Sequence, residues 1–396
     1  MSQQGRILST VSLIHAINDA SIAVVSILFP IFKQLFQLNY TQIGIITGGG
    51  LFITLVAQLL LGRLADGKNV NSFLLTGLFL TCISLVLLSF STGYFTLLFF
   101  IFIMRFATSF FHPIGIGWIS RIYKKGRLDW AMGIQSGLSD FGAFLAILTT
   151  LYITQLTNWT VPLYIWACLC LLGFFVFLIL TKQLKKDLVI VPKEPKKHSL
   201  HELLTDALKR IKGMKLLVPA FIISGASWGI IMTYFPLLLS ERTTLSLPII
   251  GFLVAIWAGI GSITSLSYGK IRSYIRRKKL LVASYLSLGV LSISLVFSTN
   301  IVLLIIVMIF LGISVFMTYP ALVSFVSEVT DESVEGWTFG LTFTFQTGGG
   351  TVLLFLSGVL SDLFGIWMPF ALIGTLSLVF TVVLLMKYQR PFVQAV

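Results

Sequence analysis

Residues 62–66 read GRLAD, and 207 residues further on residues 269–273 read GKIRS. Each is a short polar break at the end of an apolar run, residues 41 to 62 before the first and 247 to 269 before the second. Outward from these breaks the offset holds. QIGII around Gly44 falls on PIIGF around Gly251, Pro113 on Pro320, Gly133 on Gly340 and Gly142 on Gly349, while Pro30 and Pro236 differ by one register. One coincidence of Gly or Pro would mean little, but this many at one offset in corresponding segments argue for an internal duplication.

The duplicated unit is built for lipid. Of 396 residues 57% are hydrophobic and 11% charged, against about 25% charged in soluble domains, and the mean hydropathy is +0.98. Apolar runs of about 18 to 28 residues recur, each long enough to cross a hydrocarbon core of about 30 Å as a helix. They cover residues 9 to 36, 41 to 62, 72 to 91, 94 to 121, 130 to 156, 160 to 182, 215 to 240, 247 to 269, 279 to 298, 301 to 327, 337 to 361 and 365 to 387. The shorter alternating segments of a β-barrel are not the pattern here. The expected fold is an all-α membrane protein with twelve transmembrane helices in two pseudo-symmetric six-helix bundles, residues 1–182 and 214–396.

Residues 183–213 are expected to form a linker. Ser199 and Glu202 have capping-box spacing, and Leu200, Leu203, Leu204, Leu208 and Ile211 follow at helical intervals. A short amphipathic helix on the membrane surface and a solvated charged connection both fit that pattern. The first span has no small-residue cleavage site before it and exceeds a signal h-region, so it is read as part of the mature chain.

The formal charge of +14 follows the loops. Twenty-five of the 28 Lys and Arg fall on one side of the twelve-span scheme, Lys33 and Arg242 fall on the other, and Arg105 lies within a span. This is the positive-inside asymmetry, which puts both termini in the cytoplasm. The basic excess therefore records topology and does not point to nucleic acid. Cys82, Cys168 and Cys170 all lie in apolar spans and read as small packing residues, the last two on different helix faces.

Gly48 to Gly50 and Gly348 to Gly350 read as sites of close helix packing, since no Gly-Lys in the chain is followed by the Ser or Thr of a phosphate-binding loop. No catalytic constellation is visible. The expectation is a protein that is not an enzyme and has no cofactor, no metal site and no nucleic-acid partner.

Polar groups inside the spans carry the functional signal, because a charge at mid-membrane costs about 2.5 to 3.5 kcal/mol on insertion scales. At about 100° per residue, Ser12, His15, Asn18 with Asp19, and Ser26 form one stripe on the first span. Arg105, Ser109 and His112 form another on the fourth, and Gln135, Ser136, Ser139 and Asp140 lie together on the fifth. Asp19, Arg105 and Asp140 all fall near the midplane. Aligned stripes on neighbouring helices mean a polar cavity. The second half has no comparable charge in its spans and offers Trp228, Tyr234, Tyr319, Phe343, Phe345 and Gln346 as groups that could face such a cavity. Each of these residues also has a packing role open to it.

The motifs carry a resemblance. Two parallel six-helix halves, Gly62 to Asp66 followed by Gly67 and Lys68, Arg105 within the fourth span, and Gly133 with Gly142 in the fifth are similar to the major facilitator superfamily. The match departs where the loop's usual basic ending is missing, where Ser273 replaces the acid in the second copy, and where Ala146 and Ile147 stand in place of the antiporter motif's Gly-Pro. His15-Ala-Ile-Asn18-Asp19, the stretch Phe36 to Thr47 and Phe111-His112-Pro113 together resemble the fosmidomycin-resistance subgroup of efflux carriers in prokaryotic membranes.

That resemblance implies proton-driven export of a small organic compound. It also implies a cytoplasmic gate in which Gly62, Asp66 and Arg121 take part, with Asp66 facing the start of the eleventh span, and a cavity lined by the first and fourth spans, which favours contact between Asp19 and Arg105. Asp19 is expected to carry the proton, with His15, Arg105 and Asp140 in the coupling group. Asn18, His112, Gln135, Trp228, Tyr319 and Gln346 are expected to meet substrate. The rival readings are a proton-coupled importer or uniporter of an organic anion held by Arg105, and a receptor or scaffold that transports nothing. A monomer in the prokaryotic cell membrane, with the lipid bilayer, protons and a small-molecule substrate as its partners, completes the expectation.

Overall fold

A computed structural model describes residues 3–65, 69–123, 127–182, 216–329 and 335–386. The linker and its expected amphipathic helix lie outside the described residues. Twelve helices are long and apolar enough to cross a membrane, and we number them α1 to α12. They are Gln3–Ile27, Tyr40–Leu64, Val70–Leu88, Tyr94–Ile122, Leu128–Leu156, Thr160–Thr181, Leu217–Arg242, Leu247–Tyr274, Arg277–Phe297, Ile301–Val329, Glu335–Phe364 and Met368–Met386. With twelve spans among the described residues, the start of α1 and the end of α12 lie on one side of the bundle, called here the terminal face. The opposite side is the far face.

Hydrocarbon offers backbone groups no partner, so each span closes its own hydrogen bonds as a helix. Buried hydroxyls follow the same rule. Thr47 donates to Ile43 O at 2.9 Å, Thr81 to Gly77 O at 2.8 Å and Thr150 to Ala146 O at 2.6 Å, each one turn back on its own helix. Some helix starts at the loops are capped by asparagine. Asn158 Oδ1 accepts from Thr160 N at 2.9 Å, and Asn300 Oδ1 accepts from Val302 N at 2.9 Å.

The packing repeats under a shift of six helices. α1 pairs with α5 as α7 does with α11, α3 with α6 as α9 with α12, α3 with α4 as α9 with α10, and α2 with α4 as α8 with α10. The contacts between halves obey the same operation, since α5 against α8 maps onto α11 against α2. α1 and α7 are the central helices of their halves, with 78% and 83% of their most apolar windows buried. Cys82, Cys168 and Cys170 are free thiols, with Cys168 exposed and Cys170 buried against Ser21.

Two spans expected to be continuous are broken. The run from 9 to 36 ends its first helix at Ile27 and restarts as the short helix Phe29–Leu35, with Pro30 in its first turn. Proline has no N–H and fits best there. α4 is helical over Tyr94–Thr108, turns at Ser109 and Phe110, widens into a π turn over His112–Ile116, and ends with Gly117–Ile122. Pro113 is the cause, because its ring cannot pack against the carbonyl one turn back and a π turn relieves the clash.

On the far face the halves are clasped. Tyr40 N and Thr41 N donate to Asp362 Oδ1 and Oδ2 at 2.9 and 2.7 Å, and Asn39 and Gln42 exchange reciprocal bonds at 3.0 and 2.8 Å. The first amides of α2 are thus satisfied partly by its own capping box and partly by the other half. Lys33 Nζ meets Glu241 Oε1 at 3.0 Å and lies 4.7 Å from the Tyr40 ring centroid. Gly44 and Gly358 let α2 and α11 touch below this clasp, for a Cβ on Gly358 would sit 2.4 Å from Tyr40 O and 3.0 Å from Gly44 Cα. Arg242, the other far-face cation, donates to Val296 O.

Candidate functional site

The break in α4 turns Phe111 and His112 towards α1. The Phe111 ring stacks on His15 with centroids 4.3 Å apart, and His112 meets the same imidazole edge-on at 5.2 Å. On the other side of His15, Gln135 of α5 places Oε1 2.5 Å from Nδ1 and donates its own amide to Ser136 Oγ at 2.8 Å. That network assigns the imidazole proton to Nδ1. Nε2 then faces Asp19 Oδ2 at 3.3 Å, one turn along α1.

Asp19 is held from three directions. The Ser139 hydroxyl donates to Oδ2, Asn18 Nδ2 donates to Oδ1 at 3.1 Å, and His15 stands beside Oδ2. Its side chain is 27% exposed, against 7% for His15. Gln135 and Asn18 are buried. Asp140, half-buried and one residue beyond Ser139, is close enough for its charge to act with those of His15 and Asp19.

Arg105 departs from expectation. It forms no ion pair among the described residues, although the charge of Asp19 reaches it. Its stem lies against α2, where a Cβ on Gly50 would come 3.0 Å from Arg105 Cγ and 3.3 Å from Nε, and Nε is buried with no hydrogen-bond partner. The expected contact with Asp19 fails because Ser139, Asn18 and His15 already surround that carboxylate. The last glycine of the 48–50 triplet makes room for a charged side chain.

Across the midplane, His112 reaches the second half through Phe343 of α11, centroids 6.1 Å apart. Trp228 packs on Trp257 at 6.2 Å, and Trp257 on Phe316 at 5.1 Å, an aromatic group joining α7, α8 and α10. Gln346 lies where α11 crosses Gly225 of α7, its Oε1 buried without a partner. Tyr319 is 40% exposed. It shares a face with Met308 and Val315, both buried, about 140° around α10 from the exposed stripe of Val302, Ile306, Phe310 and Ile313. Its exposure is therefore to the interior of the bundle. Tyr234, read from the sequence as cavity-facing, is fully buried and donates to Leu354 O at 3.0 Å, a packing bond between α7 and α11.

Of the expected gate, Asp66 lies outside the described residues. Gly62 is half-buried near Pro113, and Arg121 is exposed at the terminal-face end of α4. Gln4 donates to Ile122 O at 3.3 Å and accepts from the Tyr123 hydroxyl at 3.0 Å, joining the starts of α1 and the end of α4. The sequence reading missed the far-face clasp. Its one available signal was an acid, Asp362, at the end of an otherwise uncharged apolar run.

The sequence model of the Major Facilitator Superfamily matches residues 11–354 and, in a second match, 217–395. An uncharacterized MFS-type transporter, YfnC of Bacillus subtilis (strain 168), is 25% identical over 175 residues, a match that spans 39% of this chain and 43% of that relative. Among solved structures, the nucleoside transporter NupG superposes with a TM-score of 0.81 at 15% identity, covering 96% of this chain and all of that one. A POT family transporter in complex with a thioalcohol-conjugated peptide gives 0.79 at 13% identity, covering 97% of this chain and 96% of that one. At such identities the likeness is one of fold, and it agrees with the six-helix repeat. With the family model covering most of its length, the chain belongs to the major facilitator superfamily.

Proposed function

We propose that this chain is a proton-coupled exporter of a small organic compound, working by alternating access, with Asp19 as the residue that takes up and releases the proton. The observation that carries the proposal is the arrangement of His15, Gln135, Ser139 and Asn18 around a single midplane carboxylate that keeps part of its surface open to the interior. A buried acid at this depth is expensive unless it works. The far face is clasped by Asp362 and by Lys33 with Glu241, and on this reading Asp19 exchanges its proton with water from the terminal face.

On this reading the terminal face is cytoplasmic, which the excess of Lys and Arg there supports. Residues 1–182 and 214–396 rock as two bodies joined by residues 183–213, and Asp66 with Arg121 closes the cytoplasmic side when the far clasp opens. His112, Gln346, Trp228 and Tyr319 contact substrate. The likeness of His15 to Asp19 and of Phe111 to Pro113 to the fosmidomycin-resistance subgroup supports export. The chain works as a monomer in a prokaryotic cell membrane.

A second reading is favoured by one observation, the unpaired Arg105 with its buried Nε. An organic anion bound there could be imported with protons or carried alone. Proteoliposomes with an imposed pH gradient separate the readings. Exchange export predicts substrate movement opposite to the proton flow, symport predicts movement with it, a uniporter ignores the gradient, and a scaffold moves nothing.

A further inference from the structure

The tautomer of His15 leaves a geometric problem. With Nδ1 donating to Gln135, the lone pair of Nε2 points at Asp19 Oδ2 from 3.3 Å. Two acceptors at that distance need a positive charge between them, either a proton or a metal ion. His112 decides in favour of a metal site. Its ligand nitrogen, Nε2 or Nδ1, falls with those of His15 and Asp19 in a group whose atoms all lie within 4.8 Å of one another, and its buried Nδ1 has no hydrogen-bond partner.

We propose that His15, Asp19 and His112 bind a divalent first-row transition-metal ion, which is the transported species either bare or as a chelate with an organic acid. This rests on the exporter reading of the same site: the chelate is the small organic compound of that reading, and the bare ion would take its place. In a tetrahedral site with bonds of roughly 2.0–2.2 Å, neighbouring ligand atoms stand about 3.3–3.5 Å apart. The separation of His15 Nε2 and Asp19 Oδ2 fits that edge. His112, carried on the broken part of α4 beside Pro113, needs only a swing of its ring to bring the remaining edges to the same length.

The surrounding groups are those that a metal site uses to orient its ligands. Gln135 fixes the His15 ring through the nitrogen that does not face the ion, Ser139 and Asn18 fix the carboxylate, and Phe111 stacks on the imidazole. Three protein ligands leave at least one position open for water or for a donor atom of a chelator. Two imidazoles and a carboxylate suit zinc, cobalt, nickel or iron better than calcium or magnesium. The charges agree. Asp19 and Asp140 against Arg105 leave the midplane one negative charge in excess when the imidazoles are neutral, a divalent ion turns this to one positive charge, and a carboxylate of a chelating acid balances it. A metal requires the imidazoles neutral and the carboxylate ionised, so the metal and the coupling proton exclude one another from the same atoms.

The test uses the full-length protein in detergent with Co2+ alone as the probe. One Co2+ per chain, with visible d–d absorption that added Zn2+ abolishes, is the expected result. His15→Ala and His112→Ala lose binding, and Gln135→Leu weakens it by roughly 10- to 100-fold, as loss of an outer-shell partner does. His112→Cys retains Co2+ and adds a thiolate-to-cobalt charge-transfer band, a signature that a packing role for position 112 would not produce. Absence of stoichiometric Co2+, or binding unaffected by His112→Ala, overturns the metal site. Gradient-driven flux of an organic substrate that still depends on Asp19 would in that case leave the exporter reading standing. In proteoliposomes, Zn2+ flux without chelator identifies the bare ion, flux that appears only with citrate identifies the chelate, and no flux under either condition overturns the metal as cargo.

Discussion

The two halves share a scaffold and differ at its centre. At the 207-residue offset His15, Asn18 and Asp19 meet Ile222, Gly225 and Ala226, Arg105 meets Gly312, His112 meets Tyr319, and Asp140 meets Thr347. The glycines that set the helix spacing are kept. Gly142 brings α5 onto Ala16 of α1, and Gly349 brings α11 onto Ile222 of α7. Duplication preserved the contacts that hold each six-helix unit together while, among the described residues, the charged groups at the centre stayed in the first. On the proposed function, that division gives ion chemistry to α1, α4 and α5 and apolar contact to α7, α10 and α11.

The largest expected effect removes the first half's distinguishing charge. Asp19→Asn abolishes gradient-driven flux, to the level of empty liposomes, while substrate still binds and its binding stops varying between about pH 6 and 8, the range in which an imidazole partner titrates. Asp140→Asn keeps coupled flux at a reduced rate, since among the described residues no side chain is hydrogen-bonded to that carboxylate, whereas Ser139 and Asn18 both donate to Asp19. Full coupling in Asp19→Asn with loss in Asp140→Asn would move the role to α5.

Next comes a comparison of equivalent glycines. A Cβ on Gly142 would lie 2.5 Å from Ala16 O and 3.0 Å from Ala16 Cα, so a backbone must move. A Cβ on Gly349 would lie 2.6 Å from Ile222 Cγ1 and 2.8 Å from Ile222 Cβ, so no rotamer of Ile222 clears it, but the clash is with a side chain rather than a carbonyl and the helices need part less. Overpacking costs about 1–3 kcal/mol, and Gly142→Ala belongs at the upper end with Gly349→Ala at the lower. Thermal unfolding in detergent reads the difference, and equal losses would show that the two interfaces are equally yielding.

The duplicated prolines give a smaller effect. Pro113 sits in the π turn that aims His112 at His15, whereas α10 runs through Pro320 without a break. Pro113→Ala allows a regular helix to close and swings His112 off its contact, which slows flux by about tenfold, as misplacing one site group does. Pro320→Ala restores a backbone donor and leaves flux within about twofold. A slow Pro320→Ala with a normal Pro113→Ala would reverse the assignment of the working half.

How far the sequence carried depended on range. The twelve spans were legible because lipid imposes one length and one composition on every crossing, and α8 to α10 begin within two residues of their expected starts. The breaks at Leu28 and Ser109 were not, since prolines in membrane helices kink, widen or pass unnoticed according to their neighbours, as Pro113 and Pro320 show. The polar stripes on α1, α4 and α5 were visible from helical periodicity. Which member bonds which was not, because that depends on the register between helices. Thus Asp19 was matched with Arg105, while Ser139 and Gln135 hold the acid and its histidine, and Arg105 turns to Gly50.

The smallest effect concerns the seams between the halves. α2 against α11 and α5 against α8 are equivalent, yet only the first can form the clasp. At the offset, Asp362 corresponds to Gln155, and Tyr40 and Thr41 correspond to Leu247 and Pro248. Pro248, in the first turn of α8, has no N–H to give. The carboxylate clasp therefore lies on the α2–α11 seam alone of these two, while Lys33 and Glu241 join the short helix after α1 to α7. Asp362→Ala leaves two amides of α2 to water, and because Asp362 is exposed the cost to the closed state is only about 1 kcal/mol, roughly a fivefold change in the ratio of open to closed. Lys33→Met removes an exposed ion pair and shifts the ratio less, by about 0.2–1 kcal/mol. Spin labels at Gln34 and Leu363 measure the clasped seam, and labels at Leu156 and Thr244 measure the other. Asp362→Ala should lengthen the first distance distribution and leave the second unchanged. Lengthening of both would mean that the halves part as rigid bodies without a dominant clasp, and no change in either would reduce Asp362 to a helix cap.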